Sequence, residues 1–281
     1  MFVDYKNTKL LLACDLDRTI IPDGPEPLSD NAIPDFNSFV QSNQVAVVYI
    51  SGRNLPEILA VVKEYNIAKP EIIVANDGTS IYVHQTGDWQ KLSDWDALLD
   101  PDWQGMTNPD IHAILKDLHH LRLQEPQHQD KYKVSYYAPE DVDSSGLVQS
   151  IQSHLRGHGL QVAVVTSVDH VGHKAYLDIL PATGTKIHAL NYLVKTLGFD
   201  PSRVVVCGDS GNDLTLLTYG YHAIVVNNAT SAFKHLVRDT ARTKGMSDQI
   251  YFATGGFKGM NGNYAAGVLE GLNYFWPQVL K

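Results

Sequence analysis

Residues 10–19 read LLLACDLDRT, an apolar run that ends in two carboxylates one residue apart. A short, continuous apolar run is typical of a strand that is buried on both faces of a parallel sheet. Ligands of open parallel sheets bind beyond the carboxyl ends of the strands. Because side chains alternate along an extended segment, we expect Asp15 and Asp17 on one side of it, at the edge where chemistry takes place.

Two carboxyl groups at this spacing can act in more than one way. They can share a hard cation, or one can serve as a nucleophile while the other is a general acid or base. A solvated loop that carries two acids by chance is the competing interpretation. Residues 10–19 alone leave these alternatives open.

The strand-then-helix order continues along most of the chain. Further apolar runs lie at residues 45–50, 72–75, 204–207 and 223–226. Segments with the apolar spacing of helices lie at residues 31–42, 56–65, 186–197 and 213–219. This alternation predicts an α/β fold whose core is a Rossmann-like, doubly wound parallel sheet with helices on both faces.

The composition changes between about residue 82 and residue 168, where Trp, His, Gln and Asp are more frequent. Apolar spacing in this stretch predicts two helices and two to four strands, which together make a small α+β domain. We therefore predict a core formed by residues 1–83 and 171–281. Residues 84–170 are predicted to form the α+β domain, inserted between the two parts of the core.

A second acidic motif, GDSGND, occupies residues 208–213 after another buried-type apolar run. Mg²⁺ prefers oxygen ligands and commonly uses one or two carboxylates together with a substrate phosphate, a demand that Asp15 and Asp209 fit. A turn that places Asp213 at the start of a helix is the alternative for this motif alone. The presence of both acidic motifs favours the metal site.

Two further segments have features of an anion site. Ser51, Gly52 and Arg53 join an apolar run to a helix, and a hydroxyl beside a helix N-terminus can bind an anion. Lys186 opens a helix, where the helix dipole disfavours a cation, so a phosphate or a carboxylate nearby is expected. An ordinary turn and an exposed surface lysine are the competing interpretations of these segments.

Composition limits the classes of partner. The net charge of -9 argues against nucleic acid and anionic membranes as main partners, but it leaves room for a small phosphorylated substrate. No apolar run approaches the roughly 18–20 residues that cross a bilayer. The two cysteines, Cys14 and Cys207, are expected to be buried thiols. The first nine residues lack the pattern of a secretory signal, so we expect a cytoplasmic protein.

The four motifs, in this order, resemble those of the haloacid dehalogenase superfamily of phosphohydrolases. The match consists of DLDRT at 15–19, SGR at 51–53, Lys186, and GDSGND at 208–213. The inserted domain resembles the large α+β cap, of the C2 type, found in sugar phosphatases. Within the superfamily the chain is most similar to sucrose-phosphate phosphatases, and the similarity covers nearly the whole chain.

This resemblance implies a phosphoric monoester hydrolase in which the core motifs supply every step. Asp15 would be the nucleophile that forms an aspartyl-phosphate, and Asp17 would protonate the leaving group and then activate water. Mg²⁺ would be held by Asp15, the Asp17 carbonyl oxygen and Asp209, with Asp213 orienting its waters or Lys186. The phosphoryl group would be bound by Ser51, the Gly52 N–H, Lys186 and Asn212.

The resemblance favours sucrose 6-phosphate as the substrate. Arg53, which follows the phosphate pocket, and Gln129, Lys133 and Ser135, whose polar groups can pair with sugar hydroxyls, are candidate substrate-binding residues. An exposed arginine at a helix start and a solvated face of the cap sheet are the competing interpretations. Asp130 departs from the family pattern, which has a basic residue there, and so leaves the exact sugar open. Mannosylfructose phosphate is a close alternative. A phosphomutase and a non-catalytic sugar-phosphate-binding subunit are alternatives of other kinds. We expect a monomer, with a sugar-phosphate synthase as a candidate partner.

Overall fold

The computed structural model describes residues 8–42, 44–116, 121–138, 144–169 and 174–277. Its main sheet has eight strands, whose order across the sheet is β12 (Ile250–Phe252), β11 (His222–Val225), β10 (Val204–Gly208), β1 (Leu10–Cys14), β2 (Val45–Ile50), β3 (Ile72–Ala75), β4 (Ser80–Gln85) and β5 (Asp88–Lys91). The first six are parallel, and β4 and β5 add an antiparallel hairpin at one edge.

Successive side chains of the central strands point to opposite faces of the sheet, and both faces are buried. One face packs against α6 (Lys186–Leu197), α7 (Leu214–Leu217) and α8 (Ser231–Thr243). The other face packs against α1 (Ala32–Ser42), α2 (Leu55–Glu64) and α9 (Ala265–Phe275). The predicted doubly wound core is confirmed, and its central strands β1, β2, β3 and β10 are apolar throughout because neither of their faces meets water.

A second, antiparallel sheet forms the inserted domain, which we call the cap (residues 92–181). Its strand order is β6 (Arg122–Leu123), β7 (Val134–Ala138), β9 (Lys174–Pro181) and β8 (Val162–Asp169). Its helices are α3 (Ser93–Trp103), α4 (Asn108–Leu115) and α5 (Ser144–Gly157). Trp103 is fully buried and lies edge-on to Tyr132 at 5.9 Å between ring centroids, so it belongs to the apolar interior of the cap.

The strand pairing divides the chain between core and cap at residues that differ from the predicted domain boundaries, 84 and 171. Residues 84–91 belong to the core sheet, because the β4–β5 hairpin pairs with β3. The predicted return at 171 lies outside the described residues. Strand β9 that follows pairs with β7 and β8 and therefore belongs to the cap. The half-exposed hairpin has the polar composition that was expected of the cap, with Asp88, Gln90 and Lys91 in β5.

The composition also led to expectations about the two cysteines and about membrane-spanning helices. Cys14 and Cys207 are both buried, as predicted, and they lie opposite each other on the neighbouring strands β1 and β10. None of the helices in the described part of the chain combines the length and the apolar composition that a bilayer-spanning helix requires.

The connection between β3 and β4 makes a close backbone contact with the start of α6. Asn76, Asp77 and Gly78 all have positive φ, at 54°, 60° and 118°. A Cβ atom on Gly78 would lie 2.3 Å from the carbonyl carbon of Thr185, so only glycine fits there. This contact places the loop directly against the residue that precedes Lys186.

Replacing Gly78 with alanine should therefore destabilise the protein far more than the same change at Gly87. Gly87 also has positive φ, at 89°, but no atom of the residues that the structure describes lies within 4 Å of its added Cβ. We expect Gly87→Ala to cost about 1 kcal/mol for the left-handed conformation, and Gly78→Ala about 3 kcal/mol or more because backbone must also move. Urea unfolding of both variants measures the difference, and equal losses would contradict the close contact.

Candidate active site

The candidate site lies where the strand order of the core reverses, between β1 and β10. Asp15 follows β1 and Asp209 follows β10, and the Asp15 N–H donates a hydrogen bond of 3.1 Å to the Cys207 carbonyl oxygen. Both side chains are buried. Two acidic motifs that are far apart in the sequence are therefore adjacent at the crevice where open parallel sheets bind ligands.

Lys186 joins these acids through a buried ammonium group. Its Nζ lies 2.7 Å from Asp15 Oδ1 and 2.8 Å from Asp213 Oδ1. Burial alone would lower the pKa of Lys186, but the charges of Asp15 and Asp213 outweigh it and raise that pKa. The lysine at the start of α6 thus has the negative partners that its unfavourable place on the helix dipole predicted.

Asp213 is fixed from both sides. Its Oδ2 accepts hydrogen bonds from the backbone N–H groups of Asp209 at 3.2 Å and Ser210 at 3.4 Å, while Oδ1 faces Lys186. A Cβ atom on Gly208 would lie 2.6 Å from the Asp213 Cβ, so the glycine admits this carboxylate. Asp213 is fully buried and is placed to orient both Lys186 and the loop that carries Asp209.

The acids of this cluster fit a hard divalent cation. Asp15, Asp209 and Asp213 each offer an oxygen, and these atoms lie within 4.8 Å of one another. Burial, reinforced by the charge of Asp213, raises the pKa of Asp209 to about 7 even though Arg18 opposes the shift. Burial also raises the pKa of Asp15 well above its usual range, against the effect of Lys186. The cluster therefore has more negative charge than its own cations balance, and its donors are the oxygens that Mg²⁺ prefers.

Arg18 forms an ion pair with Asp209, and the sequence analysis did not predict a role for it in the site. Its Nε donates to Asp209 Oδ2 at 3.1 Å, and its two terminal nitrogens contact the Glu26 carboxylate at 3.1 and 3.2 Å. The Asn228 side-chain amide donates to the Arg18 carbonyl oxygen and so holds the backbone in its left-handed conformation, with φ of 59°. Its position inside an acidic motif could have indicated this role, because a partly buried arginine needs an anionic partner.

Asp17 is half-buried and is paired with Arg53. The guanidinium Nε and one terminal nitrogen each lie 2.8 Å from an Asp17 oxygen, which is a bidentate pair. The Arg53 N–H also donates to the Ser51 hydroxyl oxygen at 3.1 Å. Asn54 and Glu57 then cap α2 reciprocally, so the segment from Ser51 to the helix is held at the cavity edge.

Lys133 crosses from the cap to the core. Its Nζ lies 2.8 Å from Asp77 Oδ2, 2.9 Å from the Gly52 carbonyl oxygen and 3.5 Å from Asp178 Oδ2. Burial raises the pKa of Asp178, opposed by Lys133. Among the residues that the structure describes, no donor reaches the buried Asp178 Oδ1. The sequence singled out Lys133, but it gave no sign that Asp77 and Asp178 are its partners.

Gln129 and Ser135 do not reach the cavity, in contrast to their expected role in substrate binding. The Gln129 amide donates to the carbonyl oxygens of Gln124 and Ser135 and accepts from the Ser135 N–H and the Asn108 amide. The Ser135 hydroxyl donates to the His128 carbonyl oxygen at 2.9 Å. Their polar atoms are used inside the cap, where they fix the turn before β7.

A cavity of about 540 Å³ opens above the acids, and both domains line it. This volume lies in the usual range for sites that bind small molecules. The core contributes the predicted residues Asp15, Asp17, Ser51, Gly52, Arg53, Asp209 and Asn212. The cap contributes Gln124, Gln127, His128, Lys133, Tyr137, Thr166, Ser167, Tyr176 and Asp178. Most of the cap side therefore consists of hydroxyl, amide and charged groups.

Residues 8–276 match the family described as sucrose-6F-phosphate phosphohydrolase. The chain belongs to this family. A putative haloacid dehalogenase-like hydrolase of Nitrosococcus oceani is 38% identical over 273 residues, which cover 96% of this chain and 72% of that protein. Sucrose-phosphatase 1 of Nicotiana tabacum is 28% identical over 278 residues. Membership makes the chain a phosphoric monoester hydrolase of the haloacid dehalogenase superfamily.

The relatives differ in length and in the sugar phosphate in their names. The aligned part covers 95% of this chain but only 59% of the tobacco protein. A mannosylfructose-phosphate phosphatase of Agrobacterium fabrum is 24% identical, with 94% of this chain and 96% of the relative covered. The fold is also similar to that of the sucrose-phosphatase from Synechocystis, solved with sucrose and phosphate, at a TM-score of 0.77, 24% identity and coverage of 95% and 98%.

Replacing Lys186 with methionine tests whether its buried ammonium group neutralises the acids of this site. The variant leaves Asp15 and Asp213 without their cation, so we expect the free energy of unfolding at pH 8 to fall by about 3–5 kcal/mol. The loss should be smaller at pH 6, because carboxyls whose pKa burial has raised take up protons and lose their unpaired charge. Urea unfolding without divalent cations measures both values.

Lys195→Met is the matched control, since Lys195 is exposed in the last turn of the same helix. We expect its free energy of unfolding to change by less than about 0.5 kcal/mol. Equal losses in the two variants would contradict the counter-charge role of Lys186.

Proposed function

We propose that this phosphatase hydrolyses sucrose 6-phosphate to sucrose and phosphate, with Mg²⁺ as cofactor and an aspartyl-phosphate on Asp15 as intermediate. The observation that carries the proposal is the buried Lys186, which bridges Asp213 and Asp15, together with the fact that Asp15 lines a cavity with a polar cap wall. A phosphate dianion repels an anionic nucleophile, and the site counters this by placing a fixed cation on the nucleophile itself.

The chain's own residues account for both halves of the reaction. An Asp15 carboxylate oxygen attacks phosphorus, the bond from phosphorus to the sugar oxygen breaks, and the Asp17 carboxyl gives its proton to that oxygen. Water then attacks the aspartyl-phosphate, Asp17 takes the proton, and phosphate leaves with Asp15 restored. Lys186 holds Asp15 Oδ1 throughout. When bound by Asp15, Asp209 and the Asp17 carbonyl oxygen, Mg²⁺ would supply further positive charge to the phosphoryl oxygens.

Arg53 links substrate entry to the release of Asp17. Its guanidinium is committed to Asp17 in the structure, and a phosphate dianion is a stronger competitor for a bidentate guanidinium than one carboxylate. Transfer of Arg53 to the substrate frees the Asp17 carboxyl to face the leaving oxygen of the sugar. The place of Arg53 in the cavity wall beside Asp17 supports it as a substrate-binding residue.

The cap wall supports a substrate rich in hydroxyl groups. Thr166, Ser167 and Tyr176 line it together with Asp178, whose Oδ1 is buried without a donor among the described residues. Hydroxyl groups and a carboxylate on one wall offer the donors and acceptors that sugar hydroxyls need. A site that pairs a hydroxyl also rejects analogues that lack it. The relatives named for sucrose phosphate and mannosylfructose phosphate make these two disaccharide esters the first to compare.

A phosphate-release assay tests this function directly. We expect turnover of sucrose 6-phosphate with kcat/KM at least about tenfold above mannosylfructose phosphate, trehalose 6-phosphate and hexose monophosphates, and no turnover after chelation of Mg²⁺. Asp15→Asn should abolish turnover, because the nucleophile is lost while the site's shape is kept. Isomerised sugar phosphate without free phosphate would indicate a mutase. Preferred turnover of another ester would overturn the assignment to sucrose 6-phosphate.

A thermal shift experiment tests the cation site without relying on turnover. Mg²⁺ should raise the melting temperature, and more at pH 8 than at pH 6, because the Asp209 carboxyl has a pKa of about 7 and must lose its proton to bind the ion. Asp209→Asn should remove most of the shift, whereas Asp248→Asn, at an exposed position, should keep it. An unchanged shift in Asp209→Asn would place the cation elsewhere.

A further inference from the structure

A tight turn in the cap presents two opposite charges to the core. The Asp130 N–H donates to the Lys133 carbonyl oxygen at 3.1 Å, and the Lys133 N–H donates to the Asp130 carbonyl oxygen at 3.2 Å. These reciprocal bonds close residues 130–133 into what we call the cap turn. The side chains of Asp130 and Lys133 are therefore held at a fixed separation.

Both side chains contact the same short stretch of the core, residues 76–80, which we call the β3 loop. Asp130 Oδ2 accepts from the Ser80 hydroxyl at 2.8 Å and from the Asn76 amide at 3.1 Å. Lys133 Nζ lies 2.8 Å from Asp77. The Asp130 carboxylate of the cap turn thus accepts hydrogen bonds from neutral donors, and the Lys133 ammonium group pairs with a carboxylate. The cap turn and the β3 loop are therefore electrostatically complementary.

The β3 loop connects this contact to the phosphate side of the site. The Asn76 N–H donates to the Arg53 carbonyl oxygen and the Asp77 N–H donates to the Ser51 carbonyl oxygen, both at 3.0 Å. Two successive non-glycine residues in the left-handed conformation each cost about 1–2 kcal/mol, so contacts must hold the loop in this form. Asp130 supplies two of those contacts from the cap.

Asp130 itself does not line the cavity, so it touches neither the phosphate nor the sugar side. We infer that Asp130 is a positioning residue: it seats the cap on the β3 loop and thereby sets the preference for a sugar phosphate over a small phosphate ester. The inference rests on the proposed function, because the cap must contact the sugar. A small ester is bound mainly by the phosphate-binding residues of the core. Its kcat/KM therefore depends little on the position of the cap wall.

The test compares sucrose 6-phosphate with p-nitrophenyl phosphate in Asp130→Ala, Ser80→Ala and the double variant. We expect kcat/KM for sucrose 6-phosphate to fall about tenfold more than kcat/KM for p-nitrophenyl phosphate in Asp130→Ala, mainly through KM, since hydrogen bonds to a charged group are lost. The double variant should show little further loss beyond Asp130→Ala, because Asp130→Ala already removes the hydrogen bond that Ser80 makes to the cap. Asp94→Ala, which removes an exposed carboxylate from α3 of the same cap, should leave the ratio within about twofold of wild type.

Equal losses on both substrates would show a general structural role and would overturn the inference, as would additive losses in the double variant. Hydrogen exchange of the Asn76 and Asp77 amides gives a readout that is independent of substrate. Asp130→Ala should speed their exchange about tenfold, and Asp94→Ala should not. If the wild type fails to hydrolyse sucrose 6-phosphate, the proposed function falls. Faster exchange in Asp130→Ala would then still show that Asp130 stabilises the β3 loop. Unchanged exchange would contradict that role.

Discussion

The ammonium group of Lys186 is the interaction on which the rest of the site depends. Three buried carboxylates converge at the end of two neighbouring strands, and they would repel one another without a cation between them. The structure around Lys186 fixes its position on every side. Gly78 allows the β3 loop to lie against the residue before it, and Gly208 allows Asp213 to reach it. The glycines, the helix start and the acids are therefore parts of a single electrostatic arrangement.

The core site could be predicted from sequence because its geometry follows from the fold. When a parallel sheet is recognised, the residues that follow its strands must lie along one edge, and Asp15, Ser51 and Asp209 are such residues. Lys186 was found by its unfavourable place at a helix start. The same rule places Arg18 and Asp77 near this edge, but it does not identify their partners: Asp209 for Arg18, and Lys133 of the cap for Asp77.

The cap was harder to predict for two physical reasons. Its sheet is antiparallel with no fixed edge for chemistry, so residue type alone suggested which side chains face the ligand. Gln129 and Ser135 have suitable groups, but the turn before β7 uses them for its own hydrogen bonds. The boundary was also hard to place, because the residues of a strand do not show which strands it pairs with, and the pairing of β9 with β7 and β8 assigns it to the cap.

The order of strands in the main sheet has a consequence for biosynthesis. Strand β1 pairs on one side with β2, which follows soon after it, but on the other side with β10, where Leu11 lies opposite Val204. At ribosomal speeds of about 5–20 residues per second, the chain between them takes roughly 10–40 seconds to emerge. During that time the nascent polypeptide exposes an open, wholly apolar strand edge, which is a target for chaperones and for aggregation. Asp15 also lacks its counter-charge for most of that interval, because Lys186 leaves the exit tunnel only after about two thirds of the chain has been made.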